Sequence, residues 1–191
     1  MPTNNQINSG LSGSTGTVNF VGTTSPTLIT PILGAASATS LTFTSTSGII
    51  GTTTNNNAAA GSVGEFISSS VLAGAAVALT TAIGANVTSI ALTAGDWDVC
   101  GTVAFVFAAT TTSTQQTMGI SSVSATFGTN GAENNIIQFK QTLTGLKTVA
   151  FGNSSMRFSI AAPTTVYLLG SAVFAVSTAS AYGFISARRV R

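Results

Sequence analysis

A chain of 191 residues is the size of one domain with an appendage. Only 5% of its residues are charged, none is histidine and 44% are hydrophobic, so it can bury a core and does not read as a disordered polyelectrolyte. Of six basic residues, three (Arg188, Arg189 and Arg191) stand in the last four positions, so the basic balance is local and no basic stripe suited to a nucleic-acid partner runs through the chain.

The opening "MPTNNQINSG" has neither the basic n-region nor the apolar h-region of a secretory signal, and the expectation is a protein made and used in a cytoplasm without signal-peptide export. The first ionisable side chain is Glu65, and three of the four prolines (Pro2, Pro26 and Pro31) fall before it. Between them lie Asn and Gly clusters that mark turns and loops. The uncharged stretch "GTTSPTLITPILGAASATSLTF", residues 22–43, alternates Thr with Leu or Ile around two prolines, which extended segments tolerate where they pair little with themselves. Residues 1–60 are therefore expected to form an extended N-terminal arm, with "GIIGTTTNNNAAAGSVG" as the junction to a knob over 61–191.

The knob reads as strands. "DWDVCGTVAFVF" puts Trp97, Val99, Gly101, Val103, Phe105 and Phe107 on one side at period two, the mark of a core-facing strand. "TTVYLLGSAVFAV", from Thr164, is apolar on both sides and predicts a strand covered on both faces. Shorter strands are predicted at Gly64 to Ser70, Ala76 to Thr81, Val87 to Thr93, Met118 to Thr126, Ser155 to Ala161 and Tyr182 to Val190. A helix over "VLAGAAVALTTAIGA" is the rival for one of them, with Leu72, Ala76, Leu79 and Ile83 at helical spacing, but Gly74, Gly84 and paired threonines favour a strand. About eight short strands without a helix predict an all-β fold, an antiparallel jelly-roll-like sandwich.

The charge-free runs 66–95 and 158–187 are interrupted every few residues by Ser, Thr, Asn or Gly, so membrane insertion is not expected. Cys100 is the single cysteine, which excludes an internal disulfide and a zinc constellation, and its place in a strand suggests a small buried hydrophobe. Catalysis would fall to Glu65, Asp96, Asp98 and Glu133. Asp96 and Asp98 share a side of an extended segment, as a glycosidase pair could, but they follow the turn "LTAG", where Asp serves the turn. Neither a phosphate loop nor a dinucleotide fingerprint is present, so neither enzymatic activity nor a cofactor is expected. Soluble domains keep many more charges on their surface than this chain can supply, and oligomerisation would hide the difference.

Two segments carry a resemblance. "GTTSPTLITPILGAASATSLTF" resembles a segment of tailed-bacteriophage fibre proteins, and "VTSIALTAGDWDVCGTVAF" with "GFISARRVR" is similar to the C-terminal domain of phage fibre and virion-surface proteins. The resemblance implies a homotrimeric structural protein of the virion, assembled in the host bacterial cytoplasm. It implies a jelly-roll knob and an arm that attaches it to capsid, neck or tail proteins. Arm residues Pro26, Leu28, Ile29, Pro31, Ile32 and Leu33 would make that attachment. With no heptad or long repeat, a short fibre fits better than a long one. Its knob would bind a host-surface glycan or protein, with Phe127, Phe139 and Phe151 in the less regular segment 127–153 as candidate receptor-contact loops. The alternative is a capsid decoration, head-fibre or neck protein that reinforces or ornaments the particle. In a trimer, Arg188, Arg189 and Arg191 would meet a carboxylate, a carbonyl or an anion at the subunit interface.

Overall fold

The alternation that marks "DWDVCGTVAFVF" becomes the longest strand, Gly95–Phe107, with Trp97, Val99, Val103, Phe105 and Phe107 all turned into the core. The computed structural model describes residues 53–128 and 136–191, which lie in a compact unit from Thr52 to Arg191. That unit begins before residue 60, where composition places the end of the arm. Asn57 already belongs to it, donating from Nδ2 to the Phe66 carbonyl and accepting the Phe66 N–H on Oδ1, each at 2.8 Å.

Among the described residues the strands are β1 (Phe66–Val71), β2 (Val77–Ala78), β3 (Ala85–Leu92), β4 (Gly95–Phe107), β5 (Thr112–Ser121) and β6 (Ile137–Phe139). They continue with β7 (Leu143–Thr144), β8 (Lys147–Gly152), β9 (Met156–Ile160), β10 (Thr164–Ala175) and β11 (Ala179–Arg189). They form two antiparallel sheets, one ordered β1-β11-β4-β8 with β2 and β9 attached, the other β3-β10-β5-β6 with β7 attached. The sequence-distant pairs β1 with β11 and β3 with β10 sit side by side, and β3, β4 and β5 change sheet in turn. This is the connectivity of a jelly-roll-like sandwich. Leu168 from β10, Met118 and Ile120 from β5 and Ile185 from β11 meet the β4 side chains between the sheets.

Three local expectations change. The segment 71–85 forms a single 3-10 turn, Ala73–Ala75, before the two-residue β2, since Gly74 and the threonines support neither a helix nor a long strand. The strand expected at Met118 to Thr126 starts at Thr112 and stops at Ser121, where Ser121 Oγ accepts the Val123 N–H at 3.0 Å and turns the chain. Segment 127–153 contains β6, β7 and β8, short edge strands that are weak in the sequence pattern.

Strands β8 and β9 both pair with β4, one on each side of Gly101. Asn153 fills the gap between them. Its Oδ1 accepts the Gly101 N–H at 2.7 Å and its own N–H donates to the Gly101 carbonyl at 3.1 Å, so a side chain completes the ladder where the strand is interrupted.

Candidate functional site

The end of β11 is a clasp at one end of the sheet, where the residue before β1 and the start of β4 meet it. Because β11 lies between β1 and β4, the register sets Arg189 opposite Trp97 and brings it beside Glu65. The Arg189 guanidinium is 5% exposed; its Nε donates to Glu65 Oε2 at 2.9 Å, Nη1 to the Ala94 carbonyl at 2.9 Å and Nη2 to Thr93 Oγ1. Its carbon lies 4.2 Å from the centre of the Trp97 ring, a cation–π contact away from solvent. Gly95, at φ +141, leaves the room, since a Cβ there would overlap Arg189 Nη1. The Glu65 carboxyl is held below its ordinary range, first by the Gly61 N–H at 2.8 Å and then by Arg189.

A second ion cluster adjoins the first. Arg157 grips Asp96 bidentately, Nε to Oδ1 at 2.9 Å and Nη2 to Oδ2 at 2.8 Å, and Arg191 Nε also reaches Oδ2. The Arg157 hydrogen bonds are the main reason that the Asp96 carboxyl falls to about 2, helped by Ser159 and Arg191 and opposed by burial. A carboxylate held ionised in this way is a poor proton donor near neutral pH. Asp98 is exposed on the outer face of β4, opposite Arg188 and Arg157. Arg189 and Arg191 thus find their acids within one chain, where the sequence reading placed them across subunits. The antiparallel return of β11 carries them there. Arg188 lies exposed on the outer face, opposite Asp98 in register.

The three phenylalanines separate. Phe139 and Phe151 belong to strands rather than loop tips. Phe151 on β8 packs against the core with Phe105 6.0 Å behind it, and Phe139 on β6 stacks on Phe151 at 4.2 Å and 14° while remaining 44% exposed. Phe127 instead lies on the outer face of the five-stranded sheet. The loop 122–128 is pinned there by Asn86, which donates to Ser124 Oγ at 2.8 Å and accepts the Ala125 N–H at 2.7 Å. The ring rests on Gly119, where a Cβ would stand 3.1 Å from Phe127 Cδ1.

This changes the reading of β10. Leu169, on the outer side of that strand and paired with Gly119, is fully buried within a single chain. The middle of the second apolar face of β10 therefore has cover from its own chain, while Tyr167 and Val173 on the same side are half-buried.

The outer face of the six-stranded sheet is more open: Ala104 and Ser186 are buried on it, but Thr102, Phe184 and Ala150 are exposed. In register it presents Ser70, Phe184, Thr102 and Gly152 in one row, Tyr182, Ala104 and Ala150 in the next, and Ser68, Ser186 and Cys100 on the other side. Charge returns only at one end, in the row Phe66, Arg188, Asp98 and Arg157. Phe66 and Phe184 are 40% and 42% exposed, and Leu72 at the rim is 74% exposed. A shallow apolar groove of about 440 Å³ runs between Leu72, Phe184, Thr102, Ala104, Ala150 and Tyr182. Sequence reasoning missed this surface, although the alternate residues of β4 and β11 spell it out: no charge between Cys100 and Val106 on one strand or between Ser180 and Ser186 on the other.

Among the described residues no helix is long and apolar enough to cross a membrane, and no group of three or more His, Cys, Asp or Glu is placed to hold a metal. The arm candidates Pro26, Leu28, Ile29, Pro31, Ile32 and Leu33, and the acid Glu133, lie outside the described residues. Comparison with known proteins yields no match, whether with protein-family models, curated proteins or solved structures.

Proposed function

We propose that this chain is a structural protein of a tailed-bacteriophage virion, a short fibre whose knobs associate through the outer face of the six-stranded sheet and whose N-terminal arm attaches it to the particle. The observation that carries this reading is the uncharged face around Phe184, Thr102 and Ala150. Contiguous exposed apolar surface on a soluble domain marks an interaction site. A ring of identical chains is the economical occupant, because a heterologous contact repeated by rotation lets this face on each copy be covered by the next copy until the ring closes. The charged row at its edge fits the same arrangement, with Arg188 and Asp98 of each copy available to their counterparts in the next. The number three comes from the resemblance of residues 22–43 and of the β4 and β11 segments to phage fibre proteins; the jelly-roll-like knob agrees with it.

The test is made on particles. Mass spectrometry of purified virions from the genome that encodes this chain is expected to find it in a copy number divisible by three. Deletion of residues 1–51, which leaves the whole compact unit and the Asn57 contacts in place, is expected to leave a folded knob that no longer joins particles. Absence from complete virions would overturn the proposal.

A further inference from the structure

The five-stranded sheet carries a second groove on its outer face, away from the proposed assembly surface. It has a volume of about 410 Å³, within the ordinary range of small-ligand sites. Thr117 lies at its centre, paired in register with Gln138 on β6 and with Ser171 on β10, with Gln115 two residues earlier on β5. Phe127 and Ile136 form the apolar side.

The hydrogen-bonding capacity of this groove is largely unspent. Gln115 Nε2 and Gln138 Nε2 both lean on the same acceptor, Thr117 Oγ1, each at 3.4 Å, longer than a well-formed hydrogen bond. A primary amide has two donor hydrogens and an acceptor oxygen, so each glutamine keeps most of its capacity. Ser171 makes no side-chain hydrogen bond among the described residues. The described lining is entirely uncharged.

We infer that this groove binds a neutral sugar ring, between the Gln115 and Gln138 amides and the Phe127 ring. A pyranose presents adjacent hydroxyls, each both donor and acceptor, which side-by-side amide donors and acceptors match, while its C–H face packs on an aromatic ring. The absence of a cation in the lining disfavours sulfated, phosphorylated and sialylated sugars, whose charge would go unpaired. Phe127 is held at the groove by its own loop and strand: Asn86 pins the loop, and Gly119, without a Cβ, leaves room for the ring. The inference rests on the fibre reading for the source of the sugar, a host-surface glycan. The groove itself stands on its own geometry.

The experiment uses the full chain and four probes, the methyl glycosides of glucose, galactose, mannose and N-acetylglucosamine, with N-acetylneuraminic acid as the acidic control. Saturation-transfer NMR is expected to show contact with at least one neutral glycoside and none with the acid. Gln138→Ala is expected to weaken that contact about tenfold, as loss of a well-used hydrogen bond does. Gln138→Lys, which fills the exposed rim of the groove, and Phe127→Leu, which keeps the loop packed but removes the aromatic face, are each expected to abolish it. Sedimentation of the same proteins is expected to match the parent, which separates failure of this site from failure of assembly. No transfer to any of the four glycosides, or undiminished transfer in Gln138→Lys, would overturn the inference. So would dissociation of the assembly by Gln138→Lys, since the groove would then hold a second copy of the chain.

Discussion

Arg189 and Glu65, 124 residues apart in sequence, meet inside a single chain, with Arg189 Nε 2.9 Å from Glu65 Oε2. The pair ties the start of β1 to the end of β11, and the Trp97 ring covers it. Removing one partner of such a buried pair leaves the other desolvated and uncompensated, which is far more damaging than loss of a surface pair. Arg189→Met is therefore expected to lower the melting temperature by roughly 5 °C or more. Arg188→Met, on the exposed face, should melt close to the parent. Thermal unfolding followed by circular dichroism measures both, and equal effects would remove the distinction between clasp and surface.

The same cluster sets an acid limit. Asp96 falls from its ordinary 3.8 to about 2 in the folded chain, chiefly through Arg157, and Glu65 is lowered as well, chiefly through the Gly61 N–H. A carboxyl whose folded pKa is depressed binds its proton more readily when unfolded. Its stabilisation is thus complete above its ordinary pKa and drains away as pH falls towards the folded value. Stability is expected to hold from neutral pH to about 5, then to decline between about pH 4 and 2. In Asp96→Asn the decline should be shallower and start from a lower plateau. Melting temperatures measured across pH 2–7 decide it, and identical acid profiles for parent and variant would contradict the assignment.

Asn153 offers a test of the interrupted edge. Its Oδ1 is the acceptor for the Gly101 N–H, at 2.7 Å, at the point where β8 gives way to β9. Asn153→Ala leaves that backbone donor without its partner, which costs about 1–3 kcal/mol. Leu168→Ala, a cavity in the fully buried core, should cost about 2–5 kcal/mol. Urea unfolding of both provides the comparison. An Asn153→Ala protein as stable as the parent would mean that another group takes over the Gly101 N–H.

Strong period-two patterns were legible in advance. The Trp97 to Phe107 alternation identified the central strand and its core face, and the doubly apolar Val166 to Val176 run identified β10. What covers β10 was not legible, because Leu169 is sheltered by a loop whose anchor, Asn86, lies 38 residues before Ser124. The edge strands β6 and β8 escaped notice because they are short, three and six residues, and only the packing of the two sheets brings Phe139 onto Phe151. For the arginines, the scarcity of acids left Glu65, Asp96, Asp98 and Glu133 as the carboxylates available to them. Sequence has no means of saying whether such a pair closes within one chain or between two. The register of β11 settles that.

The proposed assembly face makes the most direct demand on the account. Thr102 is exposed at its centre, flanked in register by Phe184 and Gly152, so a carboxylate there would be buried among apolar groups if copies of the sheet meet. Leu146, 74% exposed in the turn between β7 and β8 and outside the groove lining, supplies the control position. The deciding measurement is sedimentation equilibrium of the full chain, its Thr102→Glu variant and its Leu146→Glu variant. The account predicts three times the 19.0 kDa chain mass for the parent and for Leu146→Glu, and the single-chain mass with an unchanged circular dichroism spectrum for Thr102→Glu. A monomeric parent, or a Thr102→Glu protein that still assembles like the parent, would contradict it.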